Sequence, residues 1–331
     1  VPVRRDHHHA HGSGRGPGLS TRGEPGAAVA EALAGLAARY VRNGPGTFGK
    51  AALATRWLNR RLREHPRRAV VEARSGDLFA VDTQDLIQRY LYLFGAWEPH
   101  LAGWLRRRLR PGDGFVDVGA NIGVFSVLAA RLVGDGGRVV AIEASPDLHR
   151  HLVRNVRLNA LGNVRALNAA VSDRARTLTF ALASSRNTGA NSIVPYDGPV
   201  ESSFRARAQP LPELLDAAET AAARVIKIDV EGAEGSVVRG LAPMLGALRP
   251  DAEITVEVSP ERMARLGDRV DDLLAVMRDA GFHVYRLAND YAPGSYPPAL
   301  SGGPRAPVRL RGPVTEESDL IFSRVDAERL P

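Results

Sequence analysis

Apolar positions in the first sixty residues recur at intervals of three and four. AAVAEALAGLAARYVR (27–42) and FGKAALATRWLNRRLRE (48–64) therefore predict two amphipathic helices. The period falls to two in RAVVEARSGDLFAVDT (68–83), where β-rich runs on either side of Ser75–Gly76 predict a hairpin. Asp82 or Thr83 stands where it could cap a helix running to Tyr92. A further helix is predicted over 98–109 and stopped by Pro111–Gly112. From Phe115 the pattern changes to alternating strands and helices. Strands are read at 115–118, 138–143, 164–168, 225–229, 253–258, 282–287 and 318–324. Helices are read at 122–133, 146–160, 233–247 and 261–280. Alternation at this spacing predicts a parallel sheet covered on both faces. TLTFALA and SFRARAQPL read as additional strands in an insertion over 169–224. HVYRL and DLIFS flank a Pro/Gly-rich connection without a good helix, so the sheet is expected to close with an antiparallel pair.

Three regions follow: a leader over 1–25, helices with a hairpin and lid over 26–110, and an α/β domain over 111–325. The leader is rich in Gly, Pro, Arg and His, and its HHHAH run reads as unstructured tail. With 44% hydrophobic and 24% charged residues the composition is that of a globular protein. No apolar run is long enough to span a bilayer and no apolar signal core is present, so a soluble, cytoplasmic protein with no membrane partner is expected. Cysteine is absent, which excludes disulfides, thiolate zinc sites and cysteine nucleophiles. The net charge of +7 is uneven: residues 1–110 hold 19 of the 44 basic residues but 9 of the 37 acidic ones. That surface could meet a phosphate-rich partner, or it could be arginine decoration of solvated helices. It lacks the aromatic interleaving that stacks bases, which argues against nucleic acid. A homo-oligomer is left open.

The chemistry concentrates at the ends of the predicted strands. FVDVGANIGVF delivers Asp117, Gly119, Asn121 and Gly123 to the edge where open parallel sheets bind ligands. Gly119 allows a tight turn, and Gly123 lets the next helix pack against its strand. Glu143 ends the second strand, twenty residues after Gly123, where a carboxylate can accept from both hydroxyls of a ribose. A nicotinamide dinucleotide would call for Gly-x-Gly-x-x-Gly to cradle a pyrophosphate. Asn121 breaks that pattern, and Asp117 would place negative charge beside the phosphates. A sulfonium and an ammonium suit that carboxylate, which points to S-adenosylmethionine over an oxidoreductase cofactor.

The chain resembles the FkbM-type S-adenosylmethionine-dependent methyltransferases. The matching segments are FGAWEPHL (94–101), FVDVGANIGVFSVLAARLVGDGGRVVAIEASP (115–146), HLVRNVRLNALGNV (151–164), NAAVSD (168–173), NTGANSIV (187–194), VIKIDVEGAEGSVVRGL (225–241) and ITVEVSP (254–260). The resemblance implies a class I, Rossmann-like seven-stranded sheet of order 3-2-1-4-5-7-6, strand 7 antiparallel. It also implies O-methylation of a small hydroxylated molecule, a sugar or a polyketide-type scaffold. By the same resemblance Asp117, Gly119, Asn121 and Gly123 contact the methionine end, Glu143 holds the ribose, and Ala170 with Ser172 and Asp173 approaches the adenine. The leader over 1–50 is not covered, and Ala144 stands where many relatives have proline.

A hydroxyl acceptor must be aligned, shielded from water and relieved of its proton. KIDVEGAE supplies Lys227, Asp229, Glu231 and Glu234 at the end of the fourth strand, and alternation puts the first three on one side unless the turn begins early. Asp229 is the first candidate for base or acceptor contact and Glu231 the second. Lys227 could instead pair with a carboxylate, and Glu234 could serve only the helix N-terminus. Glu257 on the neighbouring strand could complete an acidic pocket. Trp97 and Glu98 from the lid, and Asn191 within Asn187–Ser192, could close over the ligands. His100 is a weaker candidate, while His149 and His151 receive no role. Mg²⁺ on oxygen ligands is left open, with no ligands assigned. Three alternatives stand: a nucleic-acid methyltransferase or RNA-binding module, for which DVEG replaces the Asn/Asp-Pro-Pro-aromatic segment; an NAD-dependent oxidoreductase, whose glycine fingerprint is absent; and a binding scaffold without turnover.

Overall fold

A computed structural model describes residues 25–182, 191–193 and 202–331. The leader, apart from Pro25, and Asn187 lie outside the described residues. The first helix, Pro25–Asn43, buries Ala34, Ala38 and Val41 on one face. The second helical stretch, Lys50–Leu53 and Asn59–Glu64, is joined by a π-helical segment at Ala54–Leu58. Strands β1 (Arg68–Glu72) and β2 (Leu78–Asp82) pair antiparallel as a hairpin. Helix Leu86–Phe94 is capped by Asp85, which accepts from Gln88 N, and not by Asp82 or Thr83. Asp82 is still paired within β2, and Thr83 Oγ1 is bonded to Arg67 N and Leu62 O. Helix Pro99–Arg108 then leads to the sheet.

The chain lays down β3 (Gly114–Val118), β4 (Arg138–Ile142) and β5 (Val164–Leu167), which run parallel. An insertion follows, with β6 (Ala170–Val171), β7 (Arg176–Leu182), β8 (Asn191–Ser192) and β9 (Ser202–Gln209). These form a separate four-stranded sheet in the order β6-β9-β7-β8. The main sheet resumes with β10 (Ala223–Ile228), β11 (Glu253–Val258), β12 (His283–Leu287), β13 (Val308–Arg309) and β14 (Ser318–Ser323). Its order is β13-β12-β14-β11-β10-β3-β4-β5. β14 runs antiparallel to both β11 and β12. The sheet thus has eight strands where seven were expected. The additional one is β13, a two-residue edge strand paired with β12.

Strand alternation divides the core into two. Phe115, Val139, Ala141 and Val225 pack with helix Val124–Val133 and the N-terminal helices. Val116, Val140, Ile226 and Ile254 pack with helices Glu234–Leu241 and Val270–Asp279 on the other face. Both faces are covered, which is why these strands read as unbroken apolar runs. Three expectations are corrected. The helix read at 233–247 tightens into a 3₁₀ turn over Ala242–Ala247, where Pro243 interrupts the α-helical bonding. The one read at 261–280 is two, Pro260–Arg265 and Val270–Asp279, separated at Gly267 with φ 79°. The connection between β12 and β14 holds a helix, Tyr296–Gly302, entered through prolines and anchored by buried Tyr296. Among the described residues no helix is long and apolar enough to cross a membrane.

Candidate functional site

A cavity of ≈ 260 Å³ opens beyond the C-terminal ends of β3, β4, β10 and β11. Its floor is the turn after β3. Gly119 sits at φ 83°, and a Cβ there would stand 1.7 Å from Asp229 O, so only glycine lets β10 approach. Gly123, at φ 87°, makes its close contact elsewhere than expected. A Cβ would meet Leu152 Cδ1 at 2.5 Å, so this glycine admits helix Pro146–Leu158, and it does not line the cavity. Asn121, at φ 52°, lines the cavity and accepts from Ile122 N at 2.8 Å.

Glu143 lies across the turn. Its two oxygens accept from Asn121 N and Ser145 N, each at 2.8 Å, which fixes the carboxyl at the cavity wall. Burial pushes its pKa up to about 7 against those two stabilising N–H groups. Each oxygen retains capacity for a further donor, as a ribose diol requires. Beside it Leu148, Ala170, Val171, Leu178, Phe180 and Ile193 form an apolar slot suited to a flat base, partly built by the small insertion sheet. Ala170 thus lines the cavity. Ser172 and Asp173 do not line the cavity: Ser172 Oγ accepts from Arg176, and Asp173 pairs with Arg176 and Arg239.

Asp117 is also corrected. It is buried below the cavity floor, does not line it, and accepts from Ser126 Oγ at 2.6 Å. Burial raises its pKa, opposed by Lys227 and Ser126. It ties β3 to helix Val124–Val133 and adds negative charge behind Lys227.

The other end of the cavity is acidic. Lys227 Nζ donates to Asp229 Oδ2 at 2.9 Å and lies 5.4 Å over the Phe125 ring. Burial opposes its charge, but Asp229, Asp117 and Glu98 outweigh that and raise its pKa. Burial likewise opposes ionisation of Asp229, and Lys227 prevails, so Asp229 is held below its ordinary value. The pair is ionised. Glu257 is pushed well up by burial and by Asp229, and Glu98 by burial and Asp319. Tyr291 Oη lies 2.9 Å from Glu257 Oε1 and 3.2 Å from Glu98 Oε1. A phenol has one proton to donate, so one of these carboxyls must supply the second. The geometry and the raised pKa values agree that this corner holds an additional proton. Trp97 stacks on the Tyr291 ring at 5.3 Å, and both line the cavity with Glu98 and Glu257.

Glu231 departs from the alternation read in the sequence. β10 ends at Ile228, Glu231 adopts φ 59°, and its side chain pairs with Arg262, which also bonds Glu317 at 2.9 Å. Glu234 stays outside the cavity and accepts from Gly232 N at 2.9 Å and Val230 N at 3.3 Å, pinning the turn. His100 accepts from Arg305 N at 3.2 Å and does not line the cavity. Asn191 lies in β8 with its backbone opposite Leu182; its side chain is outside the described residues. Among the described residues no group of three or more His, Asp or Glu is disposed to hold a metal ion.

Strain marks the same place. Among the described residues four non-glycine positions have positive φ, and Glu98, Asn121 and Glu231 line this cavity. Such conformations cost energy and persist where the surroundings over-determine them. Tyr291, Arg262 and Glu317 were not singled out from the sequence. The signal for Tyr291 is NDYAPGSYPP, two tyrosines in a loop returning to the sheet edge.

The methyltransferase FkbM domain matches residues 117–284, just over half of the chain. A 57-residue segment is 40% identical to the 23S rRNA (uracil(1939)-C(5))-methyltransferase RlmD of Acinetobacter baylyi, covering 17% of this chain and 12% of that protein. Among solved structures, an rRNA-methylase assignment from Clostridium thermocellum aligns with TM-score 0.41 and 11% identity over 70% of this chain and 98% of its own. A precorrin-6y C5,15-methyltransferase from Geobacter metallireducens aligns with TM-score 0.38 and 13% identity over 67% and 86%. M. jannaschii TYW2, solved with AdoMet, aligns with TM-score 0.38 and 14% identity over 78% and 87%. The match to an rRNA methyltransferase corrects the expectation that argued against a nucleic-acid partner. The glycine turn, the fixed Glu143 carboxyl and the apolar slot fit S-adenosylmethionine, the cofactor of this protein. The chain belongs to the FkbM family of methyltransferases and has a Rossmann-like fold.

Proposed function

We propose that the protein transfers a methyl group to a hydroxyl of a small acceptor, a sugar or a polyketide-type scaffold. The observation that supports this reading is the convergence of Asp229, Glu257, Glu98 and Tyr291 at the cavity end away from the apolar slot. When bound, S-adenosylmethionine supplies an electrophilic methyl. The chain's own residues then have to orient a hydroxyl and take its proton. Asp229, ionised beside Lys227, is placed to accept that proton, and Glu257 to hold the hydroxyl. Trp97, stacked on Tyr291, closes the corner with it against water. Lys227 keeps Asp229 charged and is a positioning residue.

A second reading, an RNA acceptor, is favoured by the rRNA methyltransferase match and by the basic front third. The two separate in one assay. Release of S-adenosylhomocysteine is followed with pooled hydroxylated small molecules in one arm and total RNA in the other. Release in the small-molecule arm, abolished in Asp229→Asn, supports the first reading. Release only with RNA would sink it.

A further inference from the structure

Behind the wall formed by Trp97, Val124 and Phe125 lies a second groove. Its volume, ≈ 690 Å³, exceeds the ≈ 260 Å³ of the cofactor cavity. It is framed by the β1–β2 hairpin and by helices Pro99–Arg108, Val124–Val133 and Tyr296–Gly302. Its floor is apolar, built from Phe79, Leu91, Leu128, Leu132 and Leu300. On helix Pro99–Arg108, Ala102 and Gly103 precede Arg106 and Arg107 by one turn, and Gly103 admits Pro304, whose Cβ would stand 2.3 Å from an added Cβ.

The charge around this floor is one-sided. Arg74, Arg106, Arg107 and Arg131 line the groove against a single acid, Asp77. Arg131 is already committed to Asp77 at 3.0 Å and to Asn159 O at 3.0 Å. Arg74 is satisfied by Phe94 O and Arg42 O. Arg106 is exposed, and its guanidinium has no ion-pair or hydrogen-bond partner among the described residues. Among the described residues the Arg107 guanidinium reaches only Arg305 O, at 3.4 Å. The neighbouring Arg108 shows what a neutralised guanidinium looks like on the same helix: it pairs with Glu253 at 2.7 Å. Two guanidiniums therefore stand without a counter-charge at the rim of an apolar groove.

We propose that this groove binds an amphiphilic anion, with an alkyl or aryl body on the apolar floor and a phosphate, sulfate or carboxylate on Arg106 and Arg107. Guanidinium forks match such oxyanions geometrically, and the floor removes the apolar body from water. A ligand seated there rests on the backs of two rings that shape the acidic end of the cofactor cavity. Trp97 stacks on Tyr291, and Phe125 lies under Lys227. Occupancy of the groove is thereby coupled to the placement of Glu98, Glu257 and Asp229.

The test uses the full chain and three probes at matched, sub-micellar concentration: octyl phosphate, octanol and inorganic phosphate. Calorimetric titration and thermal shift are run with and without saturating S-adenosylhomocysteine. Octyl phosphate should bind and raise the melting temperature in both cases, while octanol and inorganic phosphate bind at least tenfold more weakly. The Arg106→Glu/Arg107→Glu double variant should lose at least tenfold in octyl phosphate affinity. Its S-adenosylhomocysteine affinity should stay at the wild-type value, which also reports that it is folded. Four results would each overturn the proposal: no octyl phosphate binding, octanol binding as tightly, affinity unaffected by the charge reversal, or displacement of octyl phosphate by S-adenosylhomocysteine.

Discussion

Replacing Glu143 by glutamine tests the cofactor site almost atom by atom. In the structure both carboxyl oxygens already accept a backbone N–H at 2.8 Å, from Asn121 and Ser145. Glutamine keeps the shape but turns one acceptor into a donor, which must then face one of those N–H groups. It also removes the charge to which the ribose hydroxyls would donate. Hydrogen bonds to a charged group contribute about 1.5–3 kcal/mol, so the dissociation constant for S-adenosylhomocysteine should rise roughly 10- to 150-fold. The pH dependence carries a second signature. Burial raises Glu143 from 4.5 to about 7, so the ionised acceptor predominates only above that value. Wild-type affinity should therefore climb between about pH 6 and pH 8, and the glutamine variant should be flat across that window. Stability runs the opposite way. The folded state holds this proton more tightly than the unfolded chain, so the ligand-free protein loses stability as pH rises from the unfolded value through about 7. Glu234 is the control. It too is raised to about 7 by burial, but it lies outside the cavity, so Glu234→Gln should leave the pH dependence of binding in place. Isothermal titration at three pH values decides the matter. Wild-type affinity in Glu143→Gln, or a pH dependence that survives in it, would refute the ribose assignment.

Other consequences follow from the same geometry. Gly119→Ala forces a Cβ to 1.7 Å from Asp229 O at a φ that costs about 1–2 kcal/mol by itself, so soluble yield and S-adenosylhomocysteine binding should both collapse. Gly162→Ala, with nothing within 4 Å of an added Cβ and no positive φ, should leave the melting curve almost unchanged. Asp229→Asn leaves Lys227 buried without its charged partner, which costs about 3–5 kcal/mol in denaturant unfolding. Pairing it with Lys227→Met should recover much of that stability without restoring transfer. Tyr291→Phe removes the hydroxyl between Glu98 and Glu257, so the pH profile of turnover should move while the affinity for S-adenosylhomocysteine stays constant.

Much of the sheet was legible because its strands are buried on both faces and appear as short apolar runs between helical periods. Gly119, Asn121, Glu143 and Asp229 were legible because each stands at the last turn of such a run, where the fold brings strand ends together. Asp117 misled because strand alternation points it below the floor, and sequence cannot tell a carboxylate that meets a ligand from one that ties a strand to its helix. Glu231 misled because β10 stops at Ile228 and the backbone turns left-handed. Ser172 and Asp173 were lost to Arg176, a few residues on, and Asp173 also to Arg239, far away in sequence. Tyr291 and Arg262 reach the site from a loop and a short helix whose path no periodicity encodes.

The most direct test of the central claim is transfer from S-adenosylmethionine carrying a ¹³C-labelled methyl, followed by NMR of the product. The account predicts an O-methyl carbon on a hydroxylated small molecule, lost in Asp229→Asn. A label arriving on carbon or nitrogen, or found only in RNA, would contradict it.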